Sequence, residues 1–252
     1  MTTTVVIAGK GGTGKTTISA LLIQLLSQKG AVLAIDADHA TNLNQALGVP
    51  LGDTVGSIRE EMTLAIQQGT ISPGISKQDY LDYKITAALE ESKGFDLLAM
   101  GRPEGPGCYC AANNMLRLSI DRVGRNYRYV VIDSEAGMEH ISRQTTRDID
   151  ILLIISDPTQ RGIKTAAAMK ALIKELRTSV SKICLVVNRS PNGLPPEIRD
   201  TINKQGLELV ATIPQDPNLA DLEVKGLPTT ELPADSPLRI GVKELARSIG
   251  LQ

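Results

Sequence analysis

Short runs of branched and aliphatic residues recur along the chain, and between them lie longer stretches whose apolar residues return every three or four positions. The runs are "TTVVIAG" (3–9), "AVLAIDAD" (31–38), "FDLLAM" (95–100), "YRYVVIDS" (127–134), "DILLIISD" (150–157), "KICLVVN" (182–188) and "LELVATIP" (207–214). Each is apolar along its length instead of at alternate positions, which predicts strands buried on both faces. The intervening segments are long enough for crossover helices. The pattern therefore predicts an α/β fold, a mainly parallel twisted sheet with helices on both faces. Residues 53–92 hold no strand candidate and read as helices around the turn "TISPGIS". In the tail "SPLRIGVKELARSIGLQ", Ile240, Val242, Leu245 and Ile249 stand against Lys243 and Arg247, as in a closing helix packed on the sheet.

Length and composition narrow the classes. A chain of 252 residues suits one domain over 1–252 with a sizeable core. Its 27 basic and 28 acidic residues nearly cancel and form no long run of one sign, so no broad nucleic-acid footprint is expected. The opening "MTTTVVIAGK" has no basic region, long apolar run or cleavage site, and no later stretch is long enough to span a bilayer. These features predict a cytoplasmic protein with neither membrane nor nucleic acid as partner. Three cysteines make no secreted disulfide framework, and reduced thiols are available for metal.

The first strand candidate runs into "GKGGTGKTT": Gly9, Lys10, Gly11, Gly12, Thr13, Gly14, Lys15, Thr16 and Thr17. This is G-x-x-x-x-G-K-[ST] between a strand and a helical pattern, the context a phosphate loop requires. Glycines let backbone N–H groups converge on phosphate oxygens, and the helix N-terminus adds a favourable dipole. Lys15 is expected to reach the β and γ phosphates of a nucleotide, and the Thr16 hydroxyl to ligate Mg²⁺.

The second lysine, Lys10, makes the loop resemble the deviant Walker A sequence of the family that contains cell-division and plasmid-partition ATPases, the nitrogenase iron protein and metal-insertion ATPases. The resemblance implies a P-loop ATPase that acts as a face-to-face homodimer, with Lys10 reaching the partner's phosphates. It covers most of the chain. "AIDADHATNL" is similar to the family's first switch, which implies that Asp38 positions the attacking water and that Asp36 supports it. The family's usual proline after the second Asp is His39 here. Asp133 in "VVIDSEAGMEH" stands where the family's Mg²⁺-side Asp does, and "AG" at 136–137 matches the second switch, with Glu135 in place of the common small residue or proline. Asn188 and Arg189 in "LVVNRS", and the loop "TIPQD" containing Pro214, resemble the segments that read and cover adenine.

"PGCYCAANN" places Cys108 and Cys110 one residue apart in a Gly/Pro-rich loop. One chain thus offers half of a tetrathiolate site. Three readings stand beside one another: ordinary loop residues, one metal ion shared by two chains, or an iron-sulfur cluster shared in the same way. Cys184 lies inside an apolar strand run and reads as core. "GCYCAANNMLR", "AGMEH" and "DPTQRGIKTA" resemble the nickel-insertion ATPases that mature carbon monoxide dehydrogenase and acetyl-CoA synthase. That resemblance implies Ni²⁺, with Zn²⁺ also suited to four thiolates, and one of those two enzymes as client. His39 and His140 lack ligand spacing to another donor and read as supporting or surface residues. The alternatives are a partition or cell-division ATPase and an iron-sulfur electron donor.

Overall fold

The structure, a computed structural model, describes residues 1–70, 74, 76–101, 110–135, 148–175, 179–191 and 193–251. The strands are β1 (Thr3–Gly9), β2 (Val32–Asp36), β3 (Glu90–Ser92), β4 (Phe95–Ala99), β5 (Tyr129–Asp133), β6 (Asp148–Ser156), β7 (Ser179–Val187) and β8 (Leu209–Thr212). They form one eight-stranded sheet in the order β3-β4-β2-β5-β1-β6-β7-β8. Every neighbouring pair is parallel except β3 with β4.

Side chains of each parallel strand alternate between two cores. Val6 and Ala8 of β1, Leu33 and Ile35 of β2, Val130 and Ile132 of β5 and Leu152 and Ile154 of β6 face one layer. That layer is built by α3 (Val55–Gln68), α4 (Lys77–Ala87), α5 (Cys110–Gly124), α6 (Gln160–Glu175) and α7 (Pro196–Lys204). Val5, Ile7, Val32, Ala34, Val131 and Leu153 face the other, where α1 (Lys15–Ser27), α2 (Leu43–Leu47) and α9 (Pro237–Ser248) pack. A strand covered on both sides has no polar face, which is why the sequence shows continuous apolar runs. Helix α8 (Pro217–Lys225) lies at the rim and buries none of its residues.

Two expectations are corrected. Residues 90–92, inside the stretch without a strand candidate, form β3. Its sequence, "EES", has no apolar residue; antiparallel pairing with β4 through the Lys93–Gly94 turn makes it a strand, and Gly94 sits at φ 84° there. Charged residues on an edge also discourage pairing with another sheet. In α9, Leu238, Val242, Leu245 and Ala246 are buried, with Ile249 just beyond, whereas Ile240 is exposed. The helix closes the sheet as expected, but its inward stripe runs through Leu238 and not Ile240.

The start of α9 depends on Asp216, the N-cap of α8. Asp216 Oδ1 accepts from the Asn218 N–H (2.9 Å), and Oδ2 accepts from the Leu238 N–H (3.3 Å) and the Ser236 hydroxyl. Burial opposes the charge, yet these hydrogen bonds outweigh it and hold the carboxyl below its usual range. Asp216→Ala should cost roughly 2–4 kcal/mol, because three donors at two helix starts lose one acceptor. Since the folded pKa lies below the unfolded one, this contribution is complete above about pH 4 and fades as pH falls further. Denaturant titrations of both proteins at pH 7 and at pH 3 should show the gap between them narrowing.

Candidate functional site

Strand β1 ends at the centre of the sheet, where the chain first turns toward β2 on one side and later toward β6 on the other. In such sheets the carboxyl ends of the strands at this reversal form the ligand crevice. The loop Gly9–Thr17 leaves β1 here. Gly9 pairs with Ile155 of β6, and any Cβ at Gly9 would collide with the Ile155 carbonyl oxygen. Gly12 and Gly14 adopt φ 77° and 89°, the left-handed region that favours glycine. The Lys10 carbonyl accepts from the Thr13 hydroxyl (2.9 Å) and from Lys15 Nζ (3.4 Å), curling the loop upon itself. The Lys10 side chain is exposed and makes no hydrogen bond or ion pair among the described residues. Lys15 is buried, and burial pushes its pKa down against the opposing pull of Asp133, Asp38 and Glu135.

Asp133 ends β5 and is 1% exposed. Its carboxylate accepts from the Ser19 hydroxyl (3.0 Å) on α1, and Thr16 on the same helix lies near enough to hold its pKa down. Burial raises its pKa to about 7, with neighbouring Asp36 adding to the rise and Thr16, Ser19 and Lys15 limiting it. A buried carboxyl so placed, beside a hydroxyl and a phosphate loop, suits a hard cation that replaces the proton. Thr16 and Asp133, expected on the Mg²⁺ side, are therefore brought together. Ser19 joins them from the same helix face, three positions after Thr16, a spacing that carries no phosphate-loop signature of its own.

Asp36 ends β2 and is equally buried. The Asp38 N–H donates to its Oδ1 (3.0 Å) and the Leu43 N–H to its Oδ2 (2.9 Å), so this carboxylate organises the loop from β2 to α2. Burial raises its pKa to about 6 while these N–H groups pull it down. Asp38 lies further out, half-buried, and its Oδ1 accepts from the Ala40 N–H (2.9 Å).

Asn188 follows β7 and is 4% exposed. Its Nδ2 donates to the Thr13 carbonyl (2.8 Å), so it clips the phosphate loop to the sheet; its buried Oδ1 has no partner among the described residues. Asn188, Arg189 and Pro214 line one cleft of about 280 Å³ together with Gly14, Thr17 and Asp216. The clip through Thr13 was not foreseen, because contact between positions 175 residues apart leaves no local signal.

Cys110 opens α5, and Cys184 is buried in β7 as expected, with its thiol pKa raised by burial. Cys108, the segment 136–137 and His140 lie outside the described residues. Among the described residues, no three His, Cys, Asp or Glu side chains are grouped to hold a metal, and no helix is long and apolar enough to cross a membrane.

Asn188→Asp keeps the shape but sets a carboxylate oxygen against the Thr13 carbonyl. It should weaken ATP binding roughly tenfold or more by opening the loop. Titration with a fluorescent ATP analogue checks this, and unchanged affinity would show that the loop holds its form without the clip.

Residues 4–229 match the profile of the CobQ/CobB/MinD/ParA nucleotide binding domain. An ATP-binding protein of Methanocaldococcus jannaschii is 42% identical over 246 residues, 97% of either chain. The carbon monoxide dehydrogenase accessory protein CooC of Rhodospirillum rubrum is 30% identical, covering 90% of this chain and 89% of its own. Among solved structures, a ParA family ATPase from Chlorobium tepidum superposes with a TM-score of 0.72 at 18% identity, covering 100% of this chain and 99% of that one. Phosphate loop, fold and relatives agree: the chain belongs to the CobQ/CobB/MinD/ParA nucleotide-binding family and is an ATP-binding P-loop ATPase of the MinD/ParA type.

Proposed function

We propose that this ATPase is a metallochaperone that binds Ni²⁺ between two copies of the chain and supports its insertion into carbon monoxide dehydrogenase or acetyl-CoA synthase. The observation that carries the reading is the Cys108-x-Cys110 pair in a chain similar over nine-tenths of its length to a carbon monoxide dehydrogenase accessory protein. Two thiolates per chain and a two-fold axis make one four-thiolate site, and the exposed Lys10 is free to cross such an interface.

In this reading ATP occupies the Gly9–Thr17 loop. Lys15, with Lys10 from the facing copy, stabilises charge developing on the γ-phosphoryl group. The Thr16 hydroxyl and the Asp133 carboxylate would hold Mg²⁺, whose charge would offset that of the phosphates. Asp38 orients the attacking water. The orphaned Oδ1 of Asn188 accepts from the adenine amino group, while Arg189 and Pro214 border the base. Hydrolysis to ADP and phosphate removes the contacts that hold the two copies closed, and the thiolate site passes its ion to the client. The protein is placed in the cytoplasm, where the thiols stay reduced.

MinD from Thermotoga maritima is 27% identical over 97% of this chain, which keeps a cell-division or partition role as the second reading. The apolar stripe of α9 is buried in the domain and so is not available to a bilayer.

Cys108→Ser and Cys110→Ser together should abolish nickel binding while leaving ATP binding intact. Anaerobic nickel titration with ADP or ATP, followed by metal content and mass in solution, should give about one ion per dimer for the unaltered chain. Stoichiometric metal persisting in the double variant would overturn the site. Brown absorption with acid-labile sulfide would replace nickel delivery by electron donation, and ATP-dependent sedimentation with liposomes would favour the cell-division reading.

A further inference from the structure

Among the described residues, one side-chain contact ties the loop after β2 to the loop after β5. His39 Nδ1 lies 3.0 Å from Glu135 Oε2, with the two side chains 31% and 36% exposed. His39 directly follows Asp38, and Glu135 comes two residues after Asp133. The strand ends beneath are already joined, since the Ala37 N–H donates to the Asp133 carbonyl (2.9 Å). The Ser134 hydroxyl and N–H both donate to the Ile7 carbonyl at the root of the phosphate loop (2.8 and 3.0 Å). Beyond these anchors the first loop narrows into a tight turn. The Thr41 N–H donates to the Asp38 carbonyl (3.1 Å), and Thr41 sits at φ 46°, a left-handed conformation costly for a β-branched residue.

A strained turn keeps its shape only where its surroundings hold it. Asp36 secures it from below through the Asp38 and Leu43 N–H groups. Its outer side is secured by His39. The His39 backbone does not fix the turn by itself, and the bond to Glu135 supplies a restraint.

We propose that His39 and Glu135 are positioning residues for ATP hydrolysis. Their contact catches the first loop against the second, fixes the strained turn 38–41 and so sets the Asp38 carboxylate where it orients water. The proposal rests on the Asp38 role given above and is independent of the metal reading.

The test is steady-state ATP hydrolysis by the full chain and by Asp38→Ala, His39→Ala, Glu135→Ala, Glu135→Gln and the His39→Ala/Glu135→Ala pair. Asp38→Ala should lose hydrolysis yet bind ATP; if it hydrolyses normally, the Asp38 role itself fails. With Asp38 confirmed, each alanine variant of the catch should lower kcat roughly tenfold, the scale expected for a misplaced catalytic group, with KM within about twofold. The paired variant should be no slower than either single one, and Glu135→Gln, whose amide oxygen still accepts from His39, should recover most of kcat. Unchanged kcat in both single variants overturns the catch. So do additive losses in the paired variant, or a Gln variant as slow as the Ala variant. A fall in melting temperature with kcat and KM intact also overturns it, leaving only a structural contact.

Discussion

The nucleotide end of the sheet is organised around a carboxyl group held out of water at the end of β5. Asp133 accepts from Ser19 of α1 and lies near Thr16, and its charge is disfavoured by Asp36 and favoured by Lys15. Desolvation makes its charge expensive, and the surrounding hydroxyls and ammonium offset only part of that cost. A site in this condition favours an arriving cation. The phosphate loop above it offers backbone N–H groups and a helix N-terminus to the anion that such a cation accompanies.

That arrangement needs four strand ends in register. β1 delivers the phosphate loop, β2 delivers Asp36, β5 delivers Asp133 and β7 delivers Asn188, and all four run in one direction. Parallel register sets Asp36 opposite Asp133. The two buried carboxyls have different tasks. Asp36 is saturated by backbone N–H groups and shapes the first loop, whereas Asp133 accepts from side chains that a ligand can rearrange. The distinction comes from the direction in which each strand end continues, since both residues close a run of buried hydrophobics.

Much of this was legible in the residues alone. The apolar runs predicted seven of the strands, and their lack of alternation predicted helices on both faces. The loop Gly9–Thr17 announced itself because the chemistry of cradling phosphate is local, carried by consecutive glycines, one lysine and one hydroxyl. Strand β3 was not legible, because "EES" owes its conformation to Phe95–Ala99 beside it. Ile240 was assigned inward because periodicity fixes a helix stripe only to within about one position on either side.

The layering and the chemistry at the end of β1 are written locally, in short-range periodicity and in residue types at fixed spacing. Tertiary structure alone decided which distant groups meet: Asn188 with the Thr13 carbonyl, Ser19 with Asp133, His39 with Glu135. These pairs are separated by 96 to 175 positions. Their contact is set by strand order and parallel register, which no local pattern encodes. A hydrogen bond acts only over the length of one contact, and folding alone brings such distant positions within it.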